Sequence, residues 1–234
     1  QAPLSSGDPV RDALRSVALI TCRVGHGSAF MAKPGLLVTN YHVIADDAVE
    51  DLAALFFDPA THEQSRFPVS LIGEDPEHDL AFLAVGADVP PLDISPDFLH
   101  QNGHRIVVIG SPGVGGNGER LENVVTDGRL GPVYSDSASP SRWSLSITLN
   151  PGNSGGPVLD AQTGEVLGVT VAKFTTVEGL ALAVPHDVLT TRLTQAAAAS
   201  EDDLATAHSL HRQRHCLRKI SGFVAGARVA LHEI

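Results

Sequence analysis

Long apolar runs, aromatic side chains and an excess of basic charge are all missing from this sequence of 234 residues. No run approaches the roughly 18 apolar residues that a membrane-spanning helix requires, so we expect no membrane span. Aromatic residues make up only 5% of the chain, which predicts a core built from Val, Leu, Ile and Ala. The formal net charge of -11 argues against general binding to nucleic acid or anionic lipid. We therefore expect no nucleic-acid partner.

Cysteine is also scarce. The two cysteines, Cys22 and Cys216, lie far apart in the sequence. A pair at this separation is not a disulfide framework, so cysteine content does not define the compartment.

Short β-like segments separated by Gly, Pro, Asn and Asp dominate the sequence between residues 17 and 185. They show no alternation of strands with helices, which predicts an all-β fold of antiparallel barrels or sandwiches. The expected strands are Val17–Val24, Ser28–Ala32, Leu36–Asn40, Leu52–Phe57, Phe67–Ile72, Leu80–Val85, Arg105–Gly110, Leu121–Arg129, Trp143–Leu149, Pro157–Asp160, Val166–Ala172 and Gly179–Ala183.

Composition divides the chain into five segments. The arm at 1–16 contains a short helix that we expect to begin after a capping Asp8. A first set of strands occupies 17–86, and a linker rich in Pro and Asp occupies 87–102. The second set of strands, with a helix after His186, spans 103–194, and a helical extension occupies 195–234.

A glycine-rich loop at Asn150–Val158 surrounds one serine, Ser154. Glycine lets the backbone turn sharply and approach another molecule closely. The N–H groups of Gly152 and Ser154, helped by Asn153, are therefore candidates for an oxyanion hole. The Ser154 hydroxyl is a candidate nucleophile, which needs a base to activate it.

His42 and Asp79 are the candidate partners of this serine. His42 follows one predicted strand and Asp79 precedes another. The order His, Asp, Ser is that of the chymotrypsin-type triad, in which the histidine takes the serine proton and the aspartate orients the imidazole. Asp75 is the rival carboxylate, but it precedes Pro76 and suits a turn or cap.

Three phrases of the sequence together resemble the trypsin-like serine proteases, and more narrowly the bacterial Deg/HtrA branch. They are Thr39-Asn40-Tyr41-His42-Val43, His78-Asp79-Leu80-Ala81 and the loop from Asn150 to Pro157. The resemblance covers about residues 17–194. Family members often carry a PDZ domain, and the 40 residues after Thr194 (234 minus 194) are too few for one.

The resemblance implies two antiparallel six-stranded β-barrels of the chymotrypsin-like fold, with the active site between them. It implies a serine endopeptidase acting on proteins or peptides without a metal or organic cofactor, with His42 as base, Asp79 as orienter and Ser154 as nucleophile. It also favours a periplasmic or secreted location. The alternatives are a catalytically silent binding module and a zymogen-like protease that a partner activates.

Five residues near the predicted site are candidates for the substrate pocket: Ser146, Thr148, Thr170, Ala172 and Lys173. None is acidic, so we expect a small or medium apolar side chain at P1, the substrate residue before the scissile bond.

The extension offers a different kind of site. His208, His211 and His215 share one face of a predicted helix from Leu204 to about Lys219, with Cys216 adjacent. A metal site there is conceivable, but an ordinary packed or solvated helix is the favoured interpretation, so no metal is expected. The extension is locally basic. It could dock on the rest of the chain, which is acidic, contact a partner or lead into a further domain. The oligomeric state stays open.

Overall fold

The computed structural model describes residues 7–23, 25–114, 119–136, 139–173, 179–198 and 209–214. Two closed six-stranded barrels account for most of them, and every pairing between their strands is antiparallel. The predicted chymotrypsin-like fold class is confirmed.

The first barrel closes in the order β1-β2-β3-β6-β5-β4. Its strands are β1 Val17–Thr21, β2 His26–Lys33, β3 Leu36–Thr39, β4 Ala53–Phe57, β5 Gln64–Asp75 and β6 Leu80–Val85. A helical turn, α2, covers Tyr41–Ile44 directly after β3, and a 3₁₀ turn covers Val49–Asp51. At the N-terminus, α1 spans Pro9–Ala13 and continues as a 3₁₀ turn at Leu14–Ser16. Asp8 caps α1 as expected, because its Oδ1 accepts hydrogen bonds from the backbone N–H of Val10 and Arg11.

The second barrel closes in the order β10-β11-β14-β13-β12-β7. Its strands are β7 Arg105–Gly110, β10 Val124–Asp136, β11 Ser139–Ser146, β12 Pro157–Asp160, β13 Val166–Lys173 and β14 Leu180–Pro185. A small ribbon of β8, Gly113–Val114, and β9, Glu119–Arg120, stands apart from it. Helix α3, His186–Ala197, follows β14, and residues 209–214 are also helical. None of the described helices has the length and apolar character needed to cross a membrane.

Alternation along the strands explains why so many of them are apolar throughout. In β6, Ala81 and Leu83 point into the first barrel, whereas Leu80 and Phe82 join a separate cluster between the barrels. In β7, Ile106 and Val108 fill the second barrel, whereas Val107 and Ile109 join that same central cluster. Because successive side chains of a strand point to opposite faces, both faces of these strands are buried. The seam between the barrels is therefore itself a hydrophobic core.

Three predicted segments need correction. Strand β5 is longer than the predicted Phe67–Ile72, because polar residues at both ends also pair with neighbouring strands. The expected strands Leu121–Arg129 and Trp143–Leu149 are shifted, because β10 extends to Asp136 and β11 begins at Ser139, which pairs with Asp136. Polar residues joined by backbone pairing are missed by a search for apolar runs.

The linker contacts both barrels. The Leu92 N–H donates to the Met31 carbonyl of the first barrel at 2.8 Å. The Ser95 N–H donates to the Val166 carbonyl of the second barrel at 3.0 Å. The linker therefore bridges the two barrels through its backbone.

Candidate active site

His42 and Asp79 form a direct pair. Nδ1 of His42 lies 2.7 Å from Oδ2 of Asp79, and the His42 backbone N–H donates to Oδ1 at 2.9 Å. When Nδ1–H donates its hydrogen bond to this carboxylate, the other ring nitrogen, Nε2, is left to accept a proton. The His42 side chain is 49% exposed, so it can be reached from solvent. The pair can thus act as an oriented general base.

The short segment before β6 sets this geometry. Asp79 has a φ of 57°, in the left-handed region that a residue other than glycine adopts rarely. Its carbonyl accepts a hydrogen bond from Asn40 Nδ2 at 2.9 Å, so Asn40, which follows β3, and His42 of α2 hold the backbone and the side chain of the aspartate. Asp75, the rival carboxylate, instead pairs with His78 Nδ1 at 2.8 Å and Arg192 Nε at 2.9 Å.

Ser154 lies in a tight loop between β11 and β12 that packs against both barrels. Its carbonyl accepts from the Ser28 N–H of β2 at 2.7 Å, and the next N–H, of Gly155, donates to the Thr170 carbonyl at 2.9 Å. Gly152 and Gly155 have φ values of 102° and 86°. A Cβ on Gly155 would overlap the Ser28 carbonyl oxygen and lie 2.5 Å from Thr39 Oγ1, so the crossing of the two barrels requires glycine here.

The Ser154 hydroxyl faces a pocket of about 230 Å³ that His42 also lines. The other lining residues are Leu149, Asn150, Pro151, Asn153, Thr170 and Val171. Within the described residues the hydroxyl donates to the Val171 carbonyl at 2.9 Å and makes no hydrogen bond with His42. Rotation about the serine Cα–Cβ bond would release the Val171 contact and redirect the hydroxyl.

The backbone N–H groups of the predicted oxyanion hole differ in whether they already donate a hydrogen bond within the chain. The Asn153 N–H donates to the Asn150 carbonyl at 3.2 Å, inside the loop. The N–H groups of Gly152 and Ser154 have no acceptor within the described part of the chain. Two donors are therefore available to an oxyanion, and the Asn153 side chain supports the loop through Nδ2, which also donates to Asn150 at 3.1 Å.

The five residues predicted for the substrate pocket separate in the structure. Thr170 lines the pocket beside Ser154, but its Oγ1 bonds the carbonyls of Asn153 and Gly156 at 2.7 and 2.9 Å. Ser146 faces a different concavity, with Arg105, Asp127 and Arg129, and Thr148 is exposed. The side chains of Ala172 and Lys173 lie outside the described residues.

Ser28 and Val171 contribute to the site without having been predicted. The buried Ser28 hydroxyl donates to the Gly152 carbonyl at 2.7 Å and accepts from the Ser111 N–H at 2.9 Å, so one side chain links three segments. The small residues Gly27 and Ser28 within a strand are a signal of close backbone approach that could have indicated this position. Val171 supplies a carbonyl, which no sequence pattern marks.

Two side-chain groups outside the pocket contain the residue types of metal sites. Ligand atoms of Asp75, Glu77 and His78 lie within 4.8 Å of one another, but Asp75 Oδ2 already pairs with Arg192 Nε at 2.9 Å. His211, from the predicted histidine face, is buried, with Nδ1 3.0 Å from Glu74 Oε2 and Nε2 3.0 Å from the Asp47 carbonyl. Both ring nitrogens are thus used by the protein. His208, His215 and Cys216 lie outside the described residues.

Residues 27–169 match the family described as "Trypsin-like peptidase domain". This span contains His42, Asp79 and Ser154 together with the glycine loop. The chain belongs to the trypsin-like peptidase family. The predicted resemblance is therefore confirmed.

Curated relatives assign the chain more narrowly to the Deg/HtrA branch of this family. The chain is 32% identical over 170 residues to a probable periplasmic serine endoprotease DegP-like of Pseudomonas fluorescens, covering 69% of this chain and 33% of that protein. It is also 32% identical over 184 residues to the chloroplastic Protease Do-like 5 of Arabidopsis thaliana, covering 70% of this chain and 55% of that protein. The chain thus spans about a third of the length of the first curated relatives.

Solved structures share the fold. The active form of the Rv3671c protease from M. tuberculosis superposes with a TM-score of 0.68 at 24% identity, covering 83% of this chain and 86% of that one. The serine endoprotease from Yersinia pestis gives a TM-score of 0.66 at 24% identity, covering 84% of this chain and 68% of that one. At this identity the likeness concerns the two-barrel fold.

Proposed function

We propose that this chain is a serine endopeptidase that hydrolyses peptide bonds of protein or peptide substrates through an acyl-enzyme. The observation that carries the proposal is the 2.7 Å contact between His42 and Asp79 at the mouth of the pocket that Ser154 also lines. Family membership and the DegP-like relatives support the same reaction.

The reaction begins when the Ser154 hydroxyl leaves the Val171 carbonyl and turns to His42. Nε2 of His42 takes the hydroxyl proton while Oγ bonds the carbonyl carbon of the substrate. The resulting oxyanion is held by the N–H groups of Gly152 and Ser154. His42 then gives the proton to the leaving amine, the C–N bond breaks, and water hydrolyses the ester by the reverse use of the same groups.

The pocket supports a small or medium apolar P1 residue. Leu149, Pro151 and Val171 form much of its wall, and the polar hydroxyl of Thr170 is already used by the loop. A carboxylate that could pair with Arg or Lys is absent from the lining residues that the structure describes. Cleavage of a peptide library dominated by Arg or Lys at P1 would contradict this preference.

The two alternatives lead to different outcomes in one experiment. A silent binding module needs neither the oriented base nor free N–H donors, so these features favour catalysis. A zymogen-like protease would cleave only when a partner or peptide turns Ser154 away from Val171. We therefore propose measuring casein and peptide cleavage by the wild type and S154A, each with and without added apolar peptides.

Cleavage by the wild type alone, abolished in S154A, supports the proposed enzyme. Cleavage that appears only after peptide addition identifies the zymogen-like form. No cleavage under either condition supports the silent module. A periplasmic or secreted location belongs to the same proposal, because the Pseudomonas relatives are named periplasmic, and fractionation of the producing cells tests it.

A further inference from the structure

The turn between β5 and β6 presents Asp79 in an unfavourable backbone conformation. A left-handed residue other than glycine persists only where the surrounding structure holds it. The first barrel supplies part of this support, through Asn40 and His42. Two further contacts to the turn region come from outside the first barrel, from Arg142 of β11 and from Arg192 of α3.

Arg142 is the contact that comes from the opposite barrel. It lies on β11 opposite Tyr134 and is only 7% exposed. Its Nη2 donates to the carbonyl of Glu77, two residues before Asp79, at 3.4 Å, and its Nη1 donates to the Ser141 carbonyl at 3.3 Å. The guanidinium thus reaches the turn across the seam between the barrels.

The charge of this arginine acts on the same turn. Burial lowers the pKa of Arg142, and the carboxylates of Asp79 and Asp75 oppose that effect. A buried guanidinium remains charged under all ordinary conditions. Its field therefore acts on Asp79 wherever the two barrels are docked.

We propose that Arg142 is a positioning residue for the reaction: it holds the turn that carries Asp79 and sets the charge felt by the His42–Asp79 pair. The inference rests on the proposed serine endopeptidase function. It adds that the second barrel controls the base as well as supplying the nucleophile.

Other charged or titratable groups also face this turn, and they are the same in the wild type and in a variant changed only at Arg142. Glu77 and His78 lie on the turn itself, and Asp75 at the end of β5 pairs with Arg192 of α3 at 2.9 Å. His42 faces Asp79 from α2. A substitution at Arg142 alone therefore removes one positive charge from a group whose other members are unchanged.

Loss of the positive charge of Arg142 should shift the pH dependence of the rate in a predictable direction. Without the nearby cation, the field around Asp79 is more negative, so the imidazolium form of His42 becomes more stable. A higher pH is then needed before His42 can act as the base. The acid limb of the rate against pH should move to higher pH, while loosening of the turn should lower the plateau.

The test measures the second-order rate of Ser154 labelling by a fluorophosphonate from pH 5 to 9, an assay range of about four units around the histidine range. We expect R142Q to move the acid limb up by about half a unit or more and to lower the plateau by about 10- to 100-fold. R142K keeps the charge and should retain the wild-type acid limb. R129Q is the matched control, because Arg129 is an exposed arginine on the neighbouring β10 that bonds the Gly103 carbonyl.

Each outcome decides the inference. An R142Q profile that superposes on that of the wild type overturns it while leaving the proposed function intact. A wild type that is not labelled overturns both. Should R142Q fail to fold, R142K alone remains decisive, because an acid limb displaced by about half a unit despite the retained charge contradicts the electrostatic role.

Discussion

Gly155→Ala offers the sharpest test of how the barrels meet at the site. Gly155 has a φ of 86°, and a Cβ there would overlap the Ser28 carbonyl oxygen of the first barrel. The left-handed backbone costs an L-residue about 1–2 kcal/mol. Forcing an extra carbon into a packed seam adds about 1–3 kcal/mol. We therefore expect G155A to lower the free energy of unfolding by about 2–5 kcal/mol.

Two other glycines separate these contributions. Gly103 has a similar φ of 83°, but nothing lies within 4 Å of its added Cβ, so G103A should show only the backbone cost. Gly86 also has open space around it and does not adopt the left-handed conformation, so G86A should change stability little. Urea unfolding of the three variants measures the differences.

The same substitution should also affect chemistry. Displacing Gly155 shifts the adjacent Ser154 and the loop that carries Gly152, so labelling of G155A by a fluorophosphonate should slow sharply, whereas G103A should label like the wild type. Equal losses of stability in G155A and G103A would refute the crowded inter-barrel contact. Normal labelling of G155A would refute its link to the nucleophile.

Three further predictions concern single contacts. D79N should lower the labelling rate by about 10⁴-fold, because the amide favours the wrong tautomer of His42, and D75N should cause the smaller loss; the reverse order would make Asp75 the orienter. T170V should cost about 0.5–1.5 kcal/mol in urea unfolding, because the hydroxyl no longer donates to the carbonyls of Asn153 and Gly156, each of which keeps a backbone donor, and no loss would contradict these bonds. His211 is buried, which opposes its charge, but its bonds to Glu74 and Asp47 raise its pKa on balance. Its stabilising contribution is therefore complete below the unfolded pKa and is lost as pH rises through the folded pKa. Amide exchange of residues 209–214, corrected for intrinsic rates, should become faster relative to the wild type at low pH in H211Q, and this difference should vanish at high pH; a difference independent of pH would contradict a charged His211.

The strands and the three motifs could be predicted because their signals are local. Leu80–Val85, Arg105–Gly110 and Pro157–Asp160 agree with the observed strands, since continuous apolar runs reflect burial on both faces. The predicted roles of His42, Asp79 and Ser154 rest on sequence motifs. In the fold, His42 pairs with Asp79, and His42 and Ser154 line the same pocket.

The contacts that join distant segments could not be predicted in the same way. Ser28 and Gly152 are 124 residues apart, and their bond depends on how the two barrels dock. Arg142 lies beside Trp143 in a segment whose apolar residues predict a strand, but nothing local shows that its guanidinium reaches Glu77. The positions of the predicted substrate-pocket residues also depend on how distant strands meet: Thr170 of β13 lines the pocket beside Ser154, whereas Ser146 of β11 lines a different concavity.

Covalent labelling at Ser154 tests the proposed catalytic site most directly. The wild type and S154A would be incubated with a fluorophosphonate, and intact mass and peptide mapping would locate the adduct. The proposed mechanism predicts one adduct per chain, on Ser154, formed by the wild type and not by S154A. Labelling of S154A at the wild-type rate, or an adduct on another residue, would contradict it.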